Sequence, residues 1–155
     1  LASDLEISER KQRFLQDWRR PVEMWWLKTT FDYAQVDFMA QDSDCGYMVT
    51  QNVSCKPTSF PVGFDLAVAY FHTDSYNSRL YMYEKGMLYS FSFPSFYYRG
   101  MRWAAVMRYD MNEHFTVIGK YGSTRYFDRE SIGSSQQEIE GNLKQDIQLQ
   151  VRMKF

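Results

Sequence analysis

The stretch LKQDIQLQVRMKF, from Leu143 to Phe155, decides the fold class of this chain. Its odd-numbered positions are apolar, with Gln145 the single exception, and its even-numbered positions are all polar or charged. A period of two residues predicts a β-strand with one apolar and one polar face. In a water-soluble barrel the apolar face lines the core, whereas in a membrane-spanning barrel it contacts lipid and the polar face lines the lumen.

The end of this strand favours the membrane alternative. Met153, Lys154 and Phe155 continue the alternation and stop on a C-terminal aromatic residue. This ending resembles the insertion signal of outer-membrane β-barrels of Gram-negative bacteria. The resemblance implies that Met153 and Phe155 are recognised by the barrel-assembly machinery during insertion. A soluble strand that happens to end on Phe is the alternative.

Length and composition exclude several other classes. A chain of 155 residues predicts one domain, residues 1–155. The formal net charge of -1 gives no basic footprint for nucleic acid. The longest run without a charged residue, Gly86 to Tyr98, is too short for a transmembrane helix, which needs about 20 apolar residues. The start at Leu1, without an initiator Met or a leader, predicts a mature product or part of a longer protein.

Alternation recurs along the chain and predicts about eight antiparallel strands. The first segment could instead begin a helix near Glu9. Eight strands of about 9 to 11 residues can close into the smallest class of up-and-down transmembrane β-barrel. The predicted strands lie within Leu1 to Arg20, Val22 to Phe38, Tyr47 to Val53, Gly63 to His72, Arg79 to Phe93, Met101 to Asp110, His114 to Tyr126 and Leu143 to Phe155.

The predicted connections differ in length at the two ends of the barrel. If Phe155 ends on the periplasmic side, the short turns at Thr73 to Ser78 and Asp110 to Glu113 lie there too. The long segment Phe127 to Asn142 then lies outside. Short periplasmic turns and longer outer loops are typical of outer-membrane barrels.

Charged residues alternate with apolar ones on the last three predicted strands. In a membrane barrel such positions face the lumen, where charged side chains pair with one another or with water. The predicted lumen-facing charges are Arg102, Arg108, Lys120, Lys144, Asp146, Arg152 and Lys154.

Aromatic residues collect at the ends of the predicted strands. Tyr109 ends one strand, Phe115 begins the next and Phe155 ends the last, so an up-and-down order brings them to one rim and one face. Aromatic rings prefer the headgroup level of a membrane. We therefore predict a membrane-interface girdle of Tyr109, Phe115 and Phe155, together with Trp103. A small barrel also lacks interior room for so many large rings, which favours an outward position.

The second half of the chain, Phe71 to Phe155, resembles the C-terminal barrel portion of a group of Gram-negative outer-membrane proteins. Larger members of that group carry more strands upstream, which implies that this chain forms the C-terminal part of a wider barrel. The resemblance brings no catalytic residue with it. It is carried by the segments Tyr76 to Glu84, Arg99 to Arg102, Ile132 to Ser134 and Ile139 to Lys144.

Few residues suggest catalysis or metal binding. His72 and His114 are the only histidines, and no nucleophile elbow is present. Asp42 to Asp44 offers oxygens for calcium but lacks the Gly and Glu of a calcium loop. Cys45 and Cys55 are too far apart for a disulfide if a strand joins them, and can close a loop otherwise. We predict no enzymatic activity, no metal and no cofactor.

A basic cluster near the N terminus includes Arg19 and Arg20. The predicted topology places this pair at the outer rim of the barrel. Guanidinium groups there can donate charge-assisted hydrogen bonds to lipopolysaccharide phosphates. A solvated turn is the alternative.

Together these features predict a non-enzymatic protein of the bacterial outer membrane, with membrane lipid and lipopolysaccharide as its surroundings. A closed barrel filled by side chains would be a structural or accessory component that docks other outer-membrane proteins. If more strands precede Leu1, a porin-like solute channel becomes the better interpretation. A soluble lipocalin-like barrel that encloses a small apolar ligand is the alternative from another class.

Overall fold

A computed structural model describes residues 7–20, 25–38, 43–87, 93–128, 130–132 and 139–155, and the regular secondary structure in these ranges is β-strand. Seven long strands and four two-residue strands follow one another along the chain. Their bounds are β1 Ile7–Arg20, β2 Trp25–Phe38, β3 Asp44–Cys55, β4 Val62–Thr73, β5 Leu80–Tyr81, β6 Ser95–Phe96, β7 Arg99–Asp110, β8 Phe115–Tyr126, β9 Ser131–Ile132, β10 Ile139–Glu140 and β11 Leu143–Met153.

The seven long strands form one antiparallel sheet in the order β1-β2-β3-β4-β7-β8-β11. Each long strand pairs with the long strands before and after it in the chain, which confirms the antiparallel all-β prediction. β5 pairs with β6 and β9 with β10 in two small ladders. Within the described residues β1 and β11 are the two edges and do not pair with each other, so this sheet is not a closed barrel.

The period-two pattern of the sequence produces two unlike faces. The register determines which residues share a face. Arg102 lies between Ala69 and Thr124 on one face, and Trp103 lies between Val68 and Ser123 on the other. We call the side of Arg102 the covered face, because residues from the β4–β7 connection pack on it, and the side of Trp103 the open face. A shift of register by one residue would exchange the two faces.

The two ends of the sheet carry connections of different length. At the end where β11 stops, which we call the C-terminal rim, the connections are residues 21–24, 56–61 and 111–114. At the opposite end, the loop rim, they are residues 39–43, 74–98 and 127–142. The longest of them, residues 74–98, is named the covering segment. Short connections therefore lie at one rim and the two longest at the other.

The predicted strand Arg79 to Phe93 is wrong, and so is the short turn predicted at Thr73 to Ser78. In the described part of this stretch only Leu80–Tyr81 is a strand, and residues 88–92 lie outside the described ranges. Burial does alternate from Leu80 to Lys85, but the segment packs across a face of the sheet instead of pairing at its edge. The prediction of about eight strands therefore becomes seven long ones in the described ranges.

The apolar core lies between the covered face and the covering segment. Phe71 of β4 packs against Phe96 of β6 with ring centroids 4.8 Å apart, and Tyr126 meets Phe71 edge-on at 5.7 Å. Small residues on the strands leave room for the segment. The buried cluster consists of Ala34, Met48, Ala67, Ala69, Phe71, Leu80, Met82, Phe96, Tyr126 and Ile132.

Candidate functional site

The open face is apolar and exposed. Ile147 is 78 % exposed, Leu149 74 % and Met107 57 %. Among the described side chains of β2 to β11, charged residues of this face occur only near the loop rim, at Arg99 and Arg125. Soluble monomers rarely expose a contiguous apolar surface of this extent. The open face is therefore the first candidate interaction surface of the molecule.

Polar side chains in the middle of the open face hydrogen-bond to one another or to the backbone. The Thr29 hydroxyl donates to Gln51 Oε1 at 2.7 Å, and Gln51 Nε2 donates to the Lys28 carbonyl at 3.3 Å. Gln145 Nε2 donates to the Tyr121 hydroxyl oxygen at 2.7 Å. Such pairing satisfies polar groups without water, which an apolar environment requires.

Aromatic residues of the open face form two bands across the strands. Tyr47 and Tyr70 of the second band lie 6.3 Å apart, and Trp103 lies 4.9 Å from Tyr121. Along β2 and β4 the bands are separated by about 20 to 27 Å, at about 3.3 Å per residue. The band at the C-terminal rim contains Trp25, Phe64, Tyr109, Phe115 and Phe155, and the second contains Tyr33, Tyr47, Tyr70, Trp103 and Tyr121.

The covered face has the opposite chemistry, because it buries charged side chains beneath the covering segment. Arg13 pairs with Asp32 at 2.5 Å and also donates to the Tyr81 carbonyl of the segment at 3.4 Å. Lys85 of the segment pairs with Asp65 of β4. An ion pair to β4 and a hydrogen bond from β1 therefore attach the segment to the sheet, in addition to the apolar core.

A buried ion network forms the centre of this face. Arg102 donates from Nε to Glu84 Oε2 at 2.7 Å and from Nη2 to Glu84 Oε1 at 2.9 Å. Lys120 Nζ lies 2.5 Å from Glu84 Oε1, and Arg102 Nη1 donates to Asp146 at 3.0 Å and to Thr124 at 2.8 Å. Glu84, Arg102 and Lys120 are each 5 % exposed or less. The two cations and two carboxylates balance, as buried charges require.

The ion network holds Glu84 in its charged form. Burial by itself would raise the pKa of this carboxyl, since it disfavours the charged state. The hydrogen bonds and positive charges of Arg102 and Lys120 outweigh burial and hold the Glu84 pKa below its ordinary value of 4.5. Glu84 is therefore a carboxylate near neutral pH, and it links the covering segment to β7 and β8.

Gly122 of β8 makes room for the network. A Cβ atom at this position would lie 2.7 Å from Arg102 Nη2 and 2.7 Å from each Asp146 carboxylate oxygen. Those atoms are held by their ion pair and cannot withdraw without breaking it. The glycine is therefore required for the close approach of β7 and β11 side chains across β8.

The predicted lumen-facing charges fall into three places on the covered side. Arg102, Lys120 and Asp146 belong to the buried network. Arg108, Arg152 and Lys154 line a separate polar cleft of about 320 Å³ at the C-terminal rim. In that cleft Arg108 pairs with Asp110 at 3.0 Å. Lys144, opposite Thr124 in the register, is exposed.

The predicted interface aromatics lie in the two bands. Tyr109, Phe115 and Phe155 lie together at the C-terminal rim on the open side, whereas Trp103 belongs to the second band. Met153 ends β11 opposite Phe115, and Phe155 follows it, fully exposed. Both residues of the proposed insertion signal are thus exposed.

The prediction that Arg19 and Arg20 lie at the outer rim, at the other end of the sheet from Phe155, is wrong. Their backbone pairs with Trp26 and Trp25 at the start of β2, which is at the C-terminal rim. Their side chains lie outside the described part of the structure. The predicted lipopolysaccharide contact, which depended on an outer-rim position, thus gains no support from the topology.

Groups suited to catalysis or metal binding are dispersed. His72 stacks on Tyr47 with centroids 5.5 Å apart, and its Nε2 lies 3.9 Å from Asp74. Cys45 and Cys55 are free and occupy opposite ends of β3, which excludes a disulfide between them in this fold. Among the described residues no three His, Cys, Asp or Glu side chains group as metal ligands would. Asp42 of the candidate calcium segment is outside them.

Sequence reasoning missed Glu84 and the covering segment. A strand from Arg79 to Phe93 would place Glu84 on an ordinary polar face, and its partners are 18 and more residues away in the chain. One signal was available. The covered positions of β7, β8 and β11 place two cations, Arg102 and Lys120, beside one carboxylate, Asp146, and burial of such a set requires a second carboxylate.

Comparison with known proteins found no match for this chain. No family model, curated protein or solved structure matches it. Among the described residues no helix is long and apolar enough to span a membrane. The likeness to outer-membrane proteins therefore remains a prediction from the sequence.

Proposed function

We propose that this chain is an outer-membrane β-barrel, or the C-terminal part of one, with no enzymatic activity. The open face contacts lipid, the covered face lines the interior, and the covering segment occupies that interior. The observation that carries the proposal is the inverted polarity of the sheet: Leu149 and Trp103 are exposed while Glu84 and Arg102 are buried. A water-soluble sheet would gain free energy from the reverse arrangement.

Three further features support a membrane position. The two aromatic bands of the open face lie on either side of its apolar middle, as the aromatic girdles of outer-membrane barrels flank their apolar band. Between them, Thr29 of β2 and Gln51 of β3 are hydrogen-bonded to each other. The two longest connections lie at one rim, and outer-membrane barrels likewise carry their longer loops at one end.

The register of the strands is a fourth feature that supports the proposal. Leu143, the first residue of β11, lies in the same hydrogen-bonded row as Phe31 of β2, and β2 continues from there to Phe38. Successive strands are therefore displaced along their length. A displacement of this kind accompanies the strand tilt that barrel closure requires.

Insertion into lipid tests the proposal. The urea-unfolded chain is diluted into phosphatidylcholine vesicles, and the vesicles are floated and washed with carbonate. We expect the chain to float, to resist extraction and to show β-structure by circular dichroism. Folding in water without lipid, with the chain remaining in the aqueous fraction, would support the soluble ligand-binding barrel instead.

A solute channel is the second candidate, and one observation favours it. The outer edges of β1 and β11 have no partner strand in the described sheet. Backbone groups at an edge must be satisfied in lipid, so further strands would have to complete the barrel. A wider barrel would leave a lumen beside the covering segment. Conductance in a planar bilayer distinguishes the channel from a closed accessory barrel.

A further inference from the structure

A cavity of about 160 Å³ lies on the covered face between the strands and the covering segment. Its floor is apolar, because Ala67, Ala104 and Val106 are all buried there. The rings of Trp26 and Tyr83 stand at its sides. A cavity of about 150 Å³ in an apolar core is large enough for benzene. The cavity can therefore hold one aromatic ring.

Trp26 lies beside an ion pair between the covering segment and β4. Lys85 Nζ lies 5.8 Å from the centroid of the Trp26 ring and is bound by Asp65 and by the Ser54 hydroxyl. This contact joins the covering segment to β2 and closes one side of the cavity. The wall is thus built before any ligand enters, which lowers the entropic cost of binding.

Among the described side chains, the charge of the cavity wall is unbalanced. Of its carboxylates, Asp65 is bound by Lys85, and Glu84 is bound by Arg102 and Lys120. Lys28 also lines the cavity, and among the described side chains no carboxylate pairs with it. A half-buried cation next to an apolar cavity favours a ligand that carries one negative charge.

A second observation locates the polar end of that ligand. The Thr50 hydroxyl is buried, with the residue 2 % exposed, and its oxygen has no hydrogen-bond partner among the described atoms. Thr50 lines a smaller cavity of about 30 Å³ that shares Lys28, Asn52 and Tyr83 with the larger one. Lys28, Asn52 and Thr50 all line this smaller cavity. A ligand carboxylate placed between Lys28 and Asn52 would therefore be on the side of the larger cavity that faces Thr50.

We propose that this cavity binds a small aromatic carboxylate. The ring lies on Ala67, Ala104 and Val106, and the carboxylate accepts hydrogen bonds from Lys28 and Asn52. The site lies on the covered face, so it does not depend on what contacts the open face. Failure of the binding test would leave the membrane proposal standing, and failure of vesicle insertion would leave the binding proposal standing.

Calorimetric titration of the folded, detergent-solubilised chain with benzoate tests the site. We expect saturable binding, and affinity lowered about tenfold or more by Lys28→Gln, because a hydrogen bond to a charged group is lost. The uncharged probe benzyl alcohol should bind more weakly by a similar factor. Lys144→Gln, which removes an exposed lysine on the same side of the sheet, is the matched control and should bind benzoate as the parent chain does.

Thr50→Val provides a second variant, because valine matches threonine in shape and removes the unpaired hydroxyl. We expect it to fold and to bind benzoate several-fold more weakly. Absence of benzoate binding to the parent chain at about 10 mM, where ligands with millimolar Kd are largely bound, would overturn the proposal. Equal affinity of the parent chain and Lys28→Gln would overturn it as well.

Discussion

At the scale of single residues, the molecule depends most on the ion network around Glu84. One carboxylate receives three of the four shortest contacts there, two from Arg102 and one from Lys120. Burial of these groups is favourable only while the charges balance, and loss of one partner leaves the others uncompensated. Substitutions in the network should therefore cost far more than substitutions of exposed charges.

Glu84→Gln tests this directly. The amide leaves two buried cations with Asp146 as their one remaining carboxylate, so we expect the free energy of unfolding to fall by about 3 to 5 kcal/mol. The measurement is a urea titration of the folded chain in detergent. Glu113→Gln, at an exposed position of the β7–β8 turn, is the control and should change the midpoint little.

Two glycines of β8 offer a second test at this scale. Gly122→Ala places a methyl group against Arg102 and Asp146, and we expect a loss of about 1 to 3 kcal/mol from the forced separation of the pair. Gly119→Ala is the matched control, since no atom lies within 4 Å of its added Cβ. Equal stability of the two variants would contradict the role of Gly122 in making room for the network.

At the scale of elements, alternation in the sequence identified the long strands well. Six of the seven contain a run with apolar residues at every second position, β1 being the exception, and antiparallel pairing keeps such runs on one face of the sheet. The same signal failed for the covering segment because an extended chain that packs on a face also has one buried and one exposed side. Leu80, Met82 and Glu84 face the sheet while Tyr81 and Tyr83 are exposed. Only the tertiary contacts distinguish the two cases.

The attachment of the covering segment should depend on pH. The folded-state pKa of Glu84 lies below its ordinary value of 4.5, so the stabilisation from its charge is complete above about pH 4.5 and is lost as pH falls through the lowered pKa. We expect amide hydrogen exchange of residues 80–87 to rise, relative to β7 and β8, between about pH 6 and pH 3 after correction for intrinsic rates. In Glu84→Gln the relative exchange should be high at both pH values; an unchanged acid response there would show that another group is responsible.

At the scale of the whole molecule, alternation predicts one apolar and one polar face of the sheet, and the aromatic residues and the ending of β11 favour an outward apolar face. Trp103 and Leu149 alternate with Arg102 and Gln148 in either a soluble or a membrane barrel. In the structure Trp103 and Leu149 are exposed and Arg102 is buried. The position of Glu84 could not be predicted, because its pairing with Arg102 joins a connection to a strand across the face of the sheet.

The proposed lipid contact of the open face makes a prediction for β11. Leu149→Arg places a charge on the open face, and Gln148→Arg places the same charge on the covered side of the adjacent position. In a bilayer the first should cost about 2 to 4 kcal/mol near the midplane and the second far less. The fraction of chain inserted into vesicles measures this difference. In water an arginine at a site as exposed as Leu149 would be harmless, so equal insertion of the two variants would argue against lipid contact.

The covering segment leaves the sheet at Thr73 and returns at Arg99, and the backbone of these ends is joined through the His72–Arg99 pair and the bond from the Thr73 amide to the Tyr98 carbonyl. Both of its ends are therefore at the same rim, and no part of the chain has to be threaded through the sheet for it to enter. The strands can assemble first and receive the segment afterwards as a separate, slower phase of refolding. Glu84→Gln removes the charge that holds the segment on the sheet. This variant should therefore speed the detachment of the segment and leave the rate of strand assembly unchanged.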